Sequence, residues 1–402
     1  MDTKSGEILY AKKIIEEAGL EALIIDVSVK DRCEIKADIS ADEILNYSGR
    51  SWDEITRLGR AERISMITEC ARTLVRDYHR EGRFDAIFSM GGAQNTMVAT
   101  TAMRGLPTGV PKLMLSTMAS GKRTFGPYVD TKDILMMHSV ADISGLNLIS
   151  KNVIRNAVAA VIGMALHGST ALNQSGGEGV SVGLTMLGIT AGGVEQAKTL
   201  LEKEGFETIT FHANGVGGKS MEELIEAGML GAAMDLTLHE IANEVIGGYC
   251  SGADERLEAA CGRGIPLVAA PGGVDMIDFS TEAGESGYPE DWKSRQHIYH
   301  NASIIHMKVT ADEMRKIAKL IKTRLNAAAG PVSFMLPLRG FCEAGAPGGA
   351  FHQPEIDGIL IEELSSGMNE NVKIIKVDAN INDGVFAEAA VGEMLGYLAA
   401  GK

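Results

Sequence analysis

Short apolar runs, each followed by glycine and then by a longer segment with helical periodicity, recur along the whole chain. The first half contains EALIIDV, FDAIFSM, PKLMLS and DILMMHS, and the second half contains VSVGLTML, TITFHA, GAAMDLT, PLVAAPGG, ASIIHM, PVSFMLP and NVKIIKV. Strands that are apolar on both faces and alternate with helices are typical of parallel sheets covered on both sides. The sequence therefore predicts an α/β fold with mainly parallel sheets flanked by helices.

The length of the chain indicates two domains, because 402 residues exceed the size at which single hydrophobic cores stop growing. The polar, glycine-rich stretch QSGGEG lies between two complete series of strands and helices. We place the boundary near Gly177, with a first domain at 1–177 and a second at 178–402. The chain opens on the polar turn MDTKSGE, whereas doubly wound domains usually begin with a buried strand, so we expect the first strand to be missing or to lie upstream.

The charge of the chain excludes one class of partner. Its formal net charge is −15, and it contains no Lys/Arg-rich run of the kind that follows a phosphate backbone. We therefore expect no nucleic acid as a direct ligand. A small anionic ligand would have to be bound by a local exception to the negative field, made of backbone amides and a few cations.

Cysteine usage and hydropathy indicate a reducing, aqueous compartment. The five cysteines are scattered, odd in number and without a C-x-x-C pair, which argues against a disulfide framework or a thiolate zinc site. The longest apolar stretch, AVAAVIGMAL, is about half a membrane span, and the N-terminus has no signal-peptide pattern. We expect a cytoplasmic protein with no membrane role.

The stretch GGAQNT, Gly91 to Thr96, lies where the apolar run FDAIFSM gives way to a helical pattern. Its glycines allow close approach of the backbone, and Gln94, Asn95 and Thr96 place polar groups at the helix start. Because a helix start exposes unpaired N–H groups and carries partial positive charge, the turn is predicted to accept an anion such as phosphate. The alternative is an ordinary strand-to-helix turn capped by Asn95 or Thr96.

A second loop, STMASGKRT, follows the apolar run PKLML. It contributes hydroxyl groups, Gly121 and the adjacent cations Lys122 and Arg123. In a chain this acidic, a basic pair beside a strand end is a candidate anion contact. The alternative is a solvated surface turn.

A third loop, ANGVGGKS, approaches the phosphate-binding pattern G-x-x-x-x-G-K-S between a strand and a helix, although Ala213 replaces the first glycine. The next strand ends near Asp235, where a magnesium-binding carboxylate would lie. A chance match to a short pattern is the alternative.

Histidines are concentrated in the second half of the chain, near several acidic residues. The histidines are His212, His239, His297, His300, His306 and His352, and the acids are Glu240, Asp275, Asp357, Asp378 and Asp383. Histidine with carboxylate is typical of a divalent metal site or of general acid–base catalysis. No short metal spacing such as H-E-x-x-H is present, and each histidine taken singly also fits an ordinary core or surface position.

Many ordered blocks resemble the family named after the ATP-binding amino-terminal region of a tomato mosaic virus resistance protein. They include MGGAQNTMVATTAMRGLPTGVPKLMLSTMASG, FHANGVGGKSMEELIEAG, HEIANEVIGGYCSGADERLEAA, GPVSFMLPLRGF and NINDGVFAEA. The resemblance implies two Rossmann-like halves, ATP binding by the first with magnesium as a candidate companion ion, and a homodimer or higher homo-oligomer. In the plant relative this region binds a viral replication protein. Bacterial relatives often adjoin an enzyme resembling phosphoenolpyruvate hydrolases, which implies small-molecule catabolism.

The resemblance also assigns residues. The cofactor-binding set that it implies is Thr3, Lys4, Gly91, Gly92, Gln94, Asn95, Thr96, Ser116, Thr117 and Gly121. Within this set Gln94 and Asn95, preceded by Ala93, replace a Ser-Gly-Gly core of the family, and in the second half His239 replaces what is usually Thr. These differences indicate a divergent branch with a changed ligand preference.

Three functions follow from these observations. The first is an ATP-binding protein that serves small-molecule catabolism, with an adenine nucleotide as its ligand. The second is a lyase or hydrolase acting on a small carbonyl or carboxylate substrate in the second domain or the cleft between domains, with His212, Glu240, His300 and Asp383 as acid–base or metal-binding groups. The third is a protein-interaction module controlled by ATP.

Overall fold

The computed structural model describes residues 4–29, 36–121, 125–168, 180–252, 254–282 and 284–400. The chain divides into two compact units, Met1–Gly176 and Gly177–Lys402, and each is described by itself. The division falls beside the Gly177 boundary expected from the sequence. Thr3, the pair Lys122 and Arg123, and the QSGGEG segment lie outside the described residues.

The first unit is built on a parallel sheet in the order β1-β2-β3. Its strands are β1 (Ile87–Gly91), β2 (Lys112–Ser116) and β3 (Leu135–His138). Its helices are α1 (Ser5–Glu17), α2 (Ala41–Tyr47), α3 (Trp52–Thr56), α4 (Arg60–Arg80), α5 (Ala93–Arg104), α6 (Gly126–Val129) and α7 (Leu148–His167). Every residue of β2 is buried, as expected for a central strand that is covered on both faces.

The apolar run EALIIDV was expected to be a strand, and the structure differs at this point. The segment is mostly extended but forms only an isolated bridge between Ile25 and Ile39. Its side chains pack against helical residues of the same unit, as Ile25 does in a cluster with Val75. An apolar run becomes a strand only where a neighbouring strand pairs with its backbone, and sequence hydropathy does not report that neighbour.

Helix α7 is the apolar segment NVIRNAVAAVIGMALH with four further residues in front. By length and composition it is the one helix in the described part of the chain that could cross a membrane. One side packs in the core of the unit through Ile154 and Val158, whereas Leu148 and Leu166 are 79% and 54% exposed. The helix therefore covers the sheet with one face and leaves an apolar face open.

The second unit contains a six-stranded parallel sheet in the order β12-β11-β7-β6-β4-β5. The strands are β4 (Ser181–Met186), β5 (Glu207–His212), β6 (Ala232–Thr237), β7 (Leu267–Gly272), β11 (Val332–Pro337) and β12 (Val372–Val377). The helices are α8 (Ala191–Lys203), α9 (Gly217–Glu226), α10 (His239–Ile246), α11 (Glu258–Arg263), α12 (Ala311–Leu325), α13 (Pro354–Leu364) and α14 (Gly384–Ala400). The predicted α/β fold with two Rossmann-like domains is confirmed.

A separate antiparallel sheet in the order β8-β10-β9 was not expected from the sequence. Its strands are β8 (Met276–Ser280), β9 (His297–Tyr299) and β10 (Ile304–Lys308). The apolar run ASIIHM does form a strand, but β9 precedes it by too few residues for the crossover that parallel pairing requires. The two strands therefore form a hairpin.

The strand order of the large sheet determines where a ligand site is expected. Strand β4 lies between β5 and β6, so the connections leaving β4 and β6 diverge at their carboxyl ends. In open α/β sheets, ligands bind in the crevice that such a divergence creates. Helix α10 begins there, with His239 and Glu240 as its first two residues.

Candidate functional site

A cleft of about 1660 Å³ lies within the first unit, along β1 and between helices α1 and α5. Its walls include apolar side chains such as Ile8, Ile87 and Val98. Lys4 and Arg60 are among its polar lining residues, together with the GGAQNT turn. A large, mostly apolar cleft with a few convergent polar groups is the usual form of a small-molecule site.

The GGAQNT turn starts helix α5 without a side-chain cap. Gly92 is the residue before the helix and has no side chain with which to accept the first N–H groups. A side chain at Gly92 would approach only the Thr117 hydroxyl, at 3.8 Å from the added carbon. The first turn of α5 therefore presents its N–H groups without a capping side chain, as an anion site requires.

The polar side chains of this turn mostly fix its shape. Asn95 donates from Nδ2 to Ser89 Oγ at 3.1 Å and to the Met90 carbonyl at 2.8 Å. A Cβ atom at Gly91 would lie 2.8 Å from the Asn95 Cβ, so the turn needs glycine at this position. Gln94 Oε1 accepts a hydrogen bond from Arg60 Nη2 at 3.2 Å, which holds a guanidinium at the helix start.

The two strand-end loops named from the sequence meet in the structure. Thr96 Oγ1 and Ser116 Oγ are 2.6 Å apart and fully buried, and the Thr117 N–H donates to the Gly91 carbonyl at 3.2 Å. Gly121 has a φ of +76° in the same loop. Lys4 lines the cleft and donates to the Ile143 carbonyl.

In the second unit, the ANGVGGKS loop is occupied by a carboxylate of the chain itself. Glu240 Oε1 accepts the Gly215 N–H at 2.7 Å, and Oε2 accepts the Gly218 N–H at 3.1 Å. Arg256 pairs with both Glu240 and Asp235, and all three side chains are buried. The turn therefore leaves no room for a phosphate, and Asp235 has an arginine partner instead of facing a nucleotide-bound magnesium.

The four catalytic candidates occupy separate environments. His212 is exposed at the end of β5, and Asp383 is exposed before α14, where its Oδ2 accepts the Asn380 N–H at 2.7 Å. Glu240 is held in the ion pair with Arg256. His300 is exposed after β9, with its ring centroid 4.8 Å from that of His306. Among the described residues, no hydrogen bond or ion pair joins any two of the four candidates.

A different polar cluster forms where α10, β8 and β10 meet. His239 Nε2 lies 3.1 Å from Asp278 Oδ2, and Cys250 Sγ lies 3.4 Å from the same oxygen. His306 Nδ1 is 2.5 Å from Asp278 Oδ1, because the antiparallel register places the two residues opposite each other. Asn243, one turn after His239, donates to the His239 carbonyl at 3.0 Å.

The environment of this cluster favours an ionised carboxylate and a protonated thiol. Burial raises the pKa of Asp278, but the neighbouring imidazoles of His239 and His306 lower it by more, so that it lies below its ordinary value. Burial lowers the pKa of His239, but the Asp278 carboxylate outweighs this effect and raises it above its ordinary value. Burial raises the pKa of the Cys250 thiol. His239, Cys250 and Asp278 each offer one ligand atom, and the three atoms lie within 4.8 Å of one another.

Sequence reasoning found two members of this cluster and missed the others. His239 and His306 were in the histidine set, whereas Asp278 and Cys250 were not singled out. The partners of Asp278 lie 39 and 28 residues away, so no short spacing reports them. A usable signal is the His-x-x-x-Asn pair at the start of α10, which places His239 and Asn243 on one helix face.

A second buried cluster lies nearby in sequence and has a different charge balance. Cys342 Sγ is 3.4 Å from Asp275 Oδ2, and Lys308 Nζ lies 3.1 Å from the same oxygen and 2.9 Å from Asp357. Here one ammonium group contacts both carboxylates, and Asp275 Oδ1 is buried without a hydrogen-bond partner among the described residues.

Both units match known proteins. Residues 1–170 match the N-terminal domain, and residues 180–398 the C-terminal domain, of the Uncharacterised protein family (UPF0261). A UPF0261 protein of Clostridium tetani is 37% identical over 400 residues, covering 99% of this chain and 97% of its own. A UPF0261 protein of Mesorhizobium japonicum is 34% identical over 390 residues, covering 96% and 95%. The ToMV resistance protein Tm-1 of tomato, Solanum lycopersicum, is 35% identical over 337 residues, which are 83% of this chain but 44% of the plant protein.

Proposed function

This chain belongs to the UPF0261 family along nearly its whole length, and from that premise we propose that its first unit binds ATP. The observation that carries the proposal is the uncapped start of α5 at one end of a large cleft. The N–H groups there and the positive end of the helix attract the phosphates of a nucleotide, with magnesium bound to them. Gly92 allows the phosphates close access to the backbone.

The charges and apolar walls of the cleft support a nucleotide over a bare anion. Lys4, Arg60 and Arg63 line the cleft in a chain whose net charge is −15, and the cleft lining as a whole contains five cations and four acids, so it is less acidic than the chain. The apolar wall that contains Ile87 and Val98 offers a surface for the adenine base.

The test is calorimetric titration of ATP with magnesium into wild type and two glycine variants. In Gly92→Asp the new carboxylate caps α5, which preserves the fold but occupies the phosphate site. We expect wild type to bind and Gly92→Asp to bind about tenfold more weakly or worse. Gly126→Asp adds the same charge in open space outside the cleft and should bind like wild type. Absence of binding by wild type, or equal binding by Gly92→Asp, would contradict the proposal.

We further propose that the protein is cytoplasmic, serves small-molecule catabolism and self-associates. The four described cysteines are free and buried, which fits a reducing compartment.

The apolar side chains of Leu148, Ile149 and Leu166 on α7 are exposed and offer a contact between copies. Analytical ultracentrifugation of Leu166→Glu should then show a smaller oligomer than that of wild type. An oligomer of unchanged size would show that α7 is not part of the interface.

A second candidate function is a lyase or hydrolase in the second unit acting on a small carbonyl or carboxylate substrate. The observation that favours it is His306, whose Nδ1 is held by Asp278 so that Nε2 remains available as an acid or base. The cluster lies beside the start of α10, at the carboxyl end of β6, where α/β sheets place their sites. His300 lies exposed against His306 at the surface.

The test of this candidate is turnover of a panel of small 2-oxo and hydroxy carboxylates, followed by proton NMR. His306→Gln should lower the rate by about a hundredfold. His297→Gln, on the neighbouring strand, is the matched control and should retain the wild-type rate. Equal rates in both variants, or no turnover by wild type, would contradict the assignment.

A further inference from the structure

We propose that His239, Cys250 and Asp278 form a binding site for one divalent transition-metal ion of the zinc class. The ligand atoms are Nε2, Sγ and Oδ2, which lie within 4.8 Å of one another inside the second unit. One nitrogen, one sulfur and one oxygen are the donor types that zinc takes in proteins. The proposal requires neither ATP binding nor turnover at His306.

The contacts around His239 present Nε2 to the site. Nδ1 lies 2.8 Å from the Gly273 carbonyl and donates its proton there; in the neutral ring with that tautomer the lone pair is on Nε2, the form that a metal ion would bind. Gly273 has a φ of +69°, and an added Cβ would lie 3.2 Å from the His239 Cβ, so glycine permits this close contact. Metal-binding histidines are commonly oriented by such a hydrogen bond to a carbonyl.

The orientation of Asn243 supports the same tautomer. Its Oδ1 accepts the N–H groups of Asp278 at 3.1 Å and Cys250 at 3.4 Å, so its amide nitrogen must face His239. That nitrogen lies 2.9 Å from His239 Nε2 and donates toward it. A donor facing Nε2 is compatible with a lone pair on that atom and would repel a proton there.

The two oxygens of the Asp278 carboxylate have different roles: one faces the proposed ion, and the other accepts a hydrogen bond from His306. His306 Nδ1 donates to Oδ1 at 2.5 Å, and Oδ2 faces His239 and Cys250. A metal ion bound at this point would lie between His239 Nε2 and Asp278 Oδ2. It would be coordinated by the lone pair of Nε2 and by the negatively charged Oδ2. Its binding would release the Cys250 thiol proton to solvent, because the thiolate is the ligand.

Three protein ligands leave one tetrahedral position open, as in catalytic zinc sites. The alternative is a metal-free hydrogen-bonded cluster in which a proton on Nε2 bridges His239 and Asp278. The nearby pair of Cys342 and Asp275 has the same 3.4 Å separation but a lysine in place of the imidazole. That pair therefore serves as an internal control for metal binding, because it places a buried cysteine beside a carboxylate without a histidine ligand.

The test uses Co²⁺ as a spectroscopic probe on the full chain after removal of metals with a chelator. Wild type and Cys342→Ser should bind one Co²⁺ per chain with thiolate-to-cobalt charge-transfer absorption, displaced by Zn²⁺. Cys250→Ser should lose that absorption and bind Co²⁺ about tenfold more weakly or worse. Absence of stoichiometric binding by wild type, or an unchanged spectrum in Cys250→Ser, would overturn the proposal.

Folding of the variant is checked by circular dichroism. If Cys250→Ser does not fold, X-ray absorption of zinc-loaded wild type decides the question. One sulfur neighbour in the shell of the ion supports the site, and a shell of oxygen and nitrogen alone overturns it.

Discussion

Glu240 Oε2 accepts the backbone N–H of Gly218 at 3.1 Å, so a carboxylate of the chain fills a turn that by its sequence approaches a phosphate-binding loop. The turn leads into α9, whose first N–H groups and helix dipole attract any anion. Glycines give such a turn its shape, but they do not determine whether the anion is a phosphate or a side chain. Arg256 completes the arrangement by neutralising Glu240.

The first prediction concerns Gly218→Ala. The added Cβ would lie 2.0 Å from Glu240 Oε2 and 2.4 Å from Arg256 Nη1, and both groups are buried. We expect a loss of about 1 to 3 kcal/mol in the free energy of unfolding, measured with urea. Gly392→Ala, in α14 with open space around it, should gain up to about 1 kcal/mol. Equal stability of Gly218→Ala and wild type would show that Glu240 does not occupy this turn.

The second prediction is that Arg256→Met destabilises the second unit by about 3 to 5 kcal/mol. The change leaves Asp235 and Glu240 buried without their cation. Arg339→Met is the control, because the Arg339–Asp378 pair is exposed and should contribute less than about 1 kcal/mol. Urea unfolding of the two variants gives the comparison, and similar losses in both would contradict the prediction.

The third prediction concerns the pH dependence of stability. Burial raises the pKa of Glu222 from 4.5 to about 7, and the N–H groups of Leu257 and Ala259 oppose the shift. Because the folded pKa exceeds the unfolded value, the folded state binds the proton more tightly. The contribution of this group to stability is therefore present at low pH and is lost as the pH rises to about 7.

Glu222→Gln removes this titration. Relative to wild type, its free energy of unfolding should rise by about 2 to 3 kcal/mol between about pH 5 and pH 8. Glu226→Gln, at an exposed position on the same helix, is the matched control. Parallel pH profiles of wild type and Glu222→Gln would refute the prediction.

The fourth prediction concerns a buried lysine in the first unit. Lys112 is fully buried at the start of β2, and its Nζ contacts Asp133 at 2.6 Å and the Val110 carbonyl at 2.8 Å. Asp133→Asn removes the opposite charge, so we expect a loss of about 1.5 to 3 kcal/mol by scanning calorimetry. Glu17→Gln breaks an exposed pair with Lys13 and should cost less than about 0.5 kcal/mol. Unchanged stability of Asp133→Asn would mean that the carbonyl groups of Pro107 and Val110 are sufficient partners for Lys112.

The fold was largely predictable because its signals are local. Runs such as GAAMDLT and PVSFMLP are apolar on both faces, and the corresponding strands β6 and β11 are buried throughout. Strands β8 and β9 carry Asp278 and His297 in short segments, so their hydropathy resembled that of loops. Antiparallel pairing of β8 with β10 depends on contacts across more than twenty residues, which periodicity does not report.

The candidate sites were predictable to different degrees, because sequence patterns report residues that are close along the chain and not those brought together by folding. The GGAQNT turn is contiguous, and its contact with Ser116 follows from two neighbouring strand ends. The cluster of His239, Cys250 and Asp278 is assembled from a helix, a loop and a strand of a second sheet. Glu240 looked like a catalytic acid in sequence because its partner Arg256 becomes apparent only in three dimensions.

The antiparallel sheet carries Asp278 and His306, whereas His239 belongs to a helix that follows a strand of the large parallel sheet, so the His239–Asp278 contact joins the two sheets through buried side chains. Local opening of the antiparallel sheet would remove the Asp278 carboxylate from His239. It would also expose to solvent the negative charge of Asp278, which is otherwise buried. Amide protons in β8 and α10 should therefore exchange with solvent through a shared opening event, at a rate that reports on the integrity of the whole cluster.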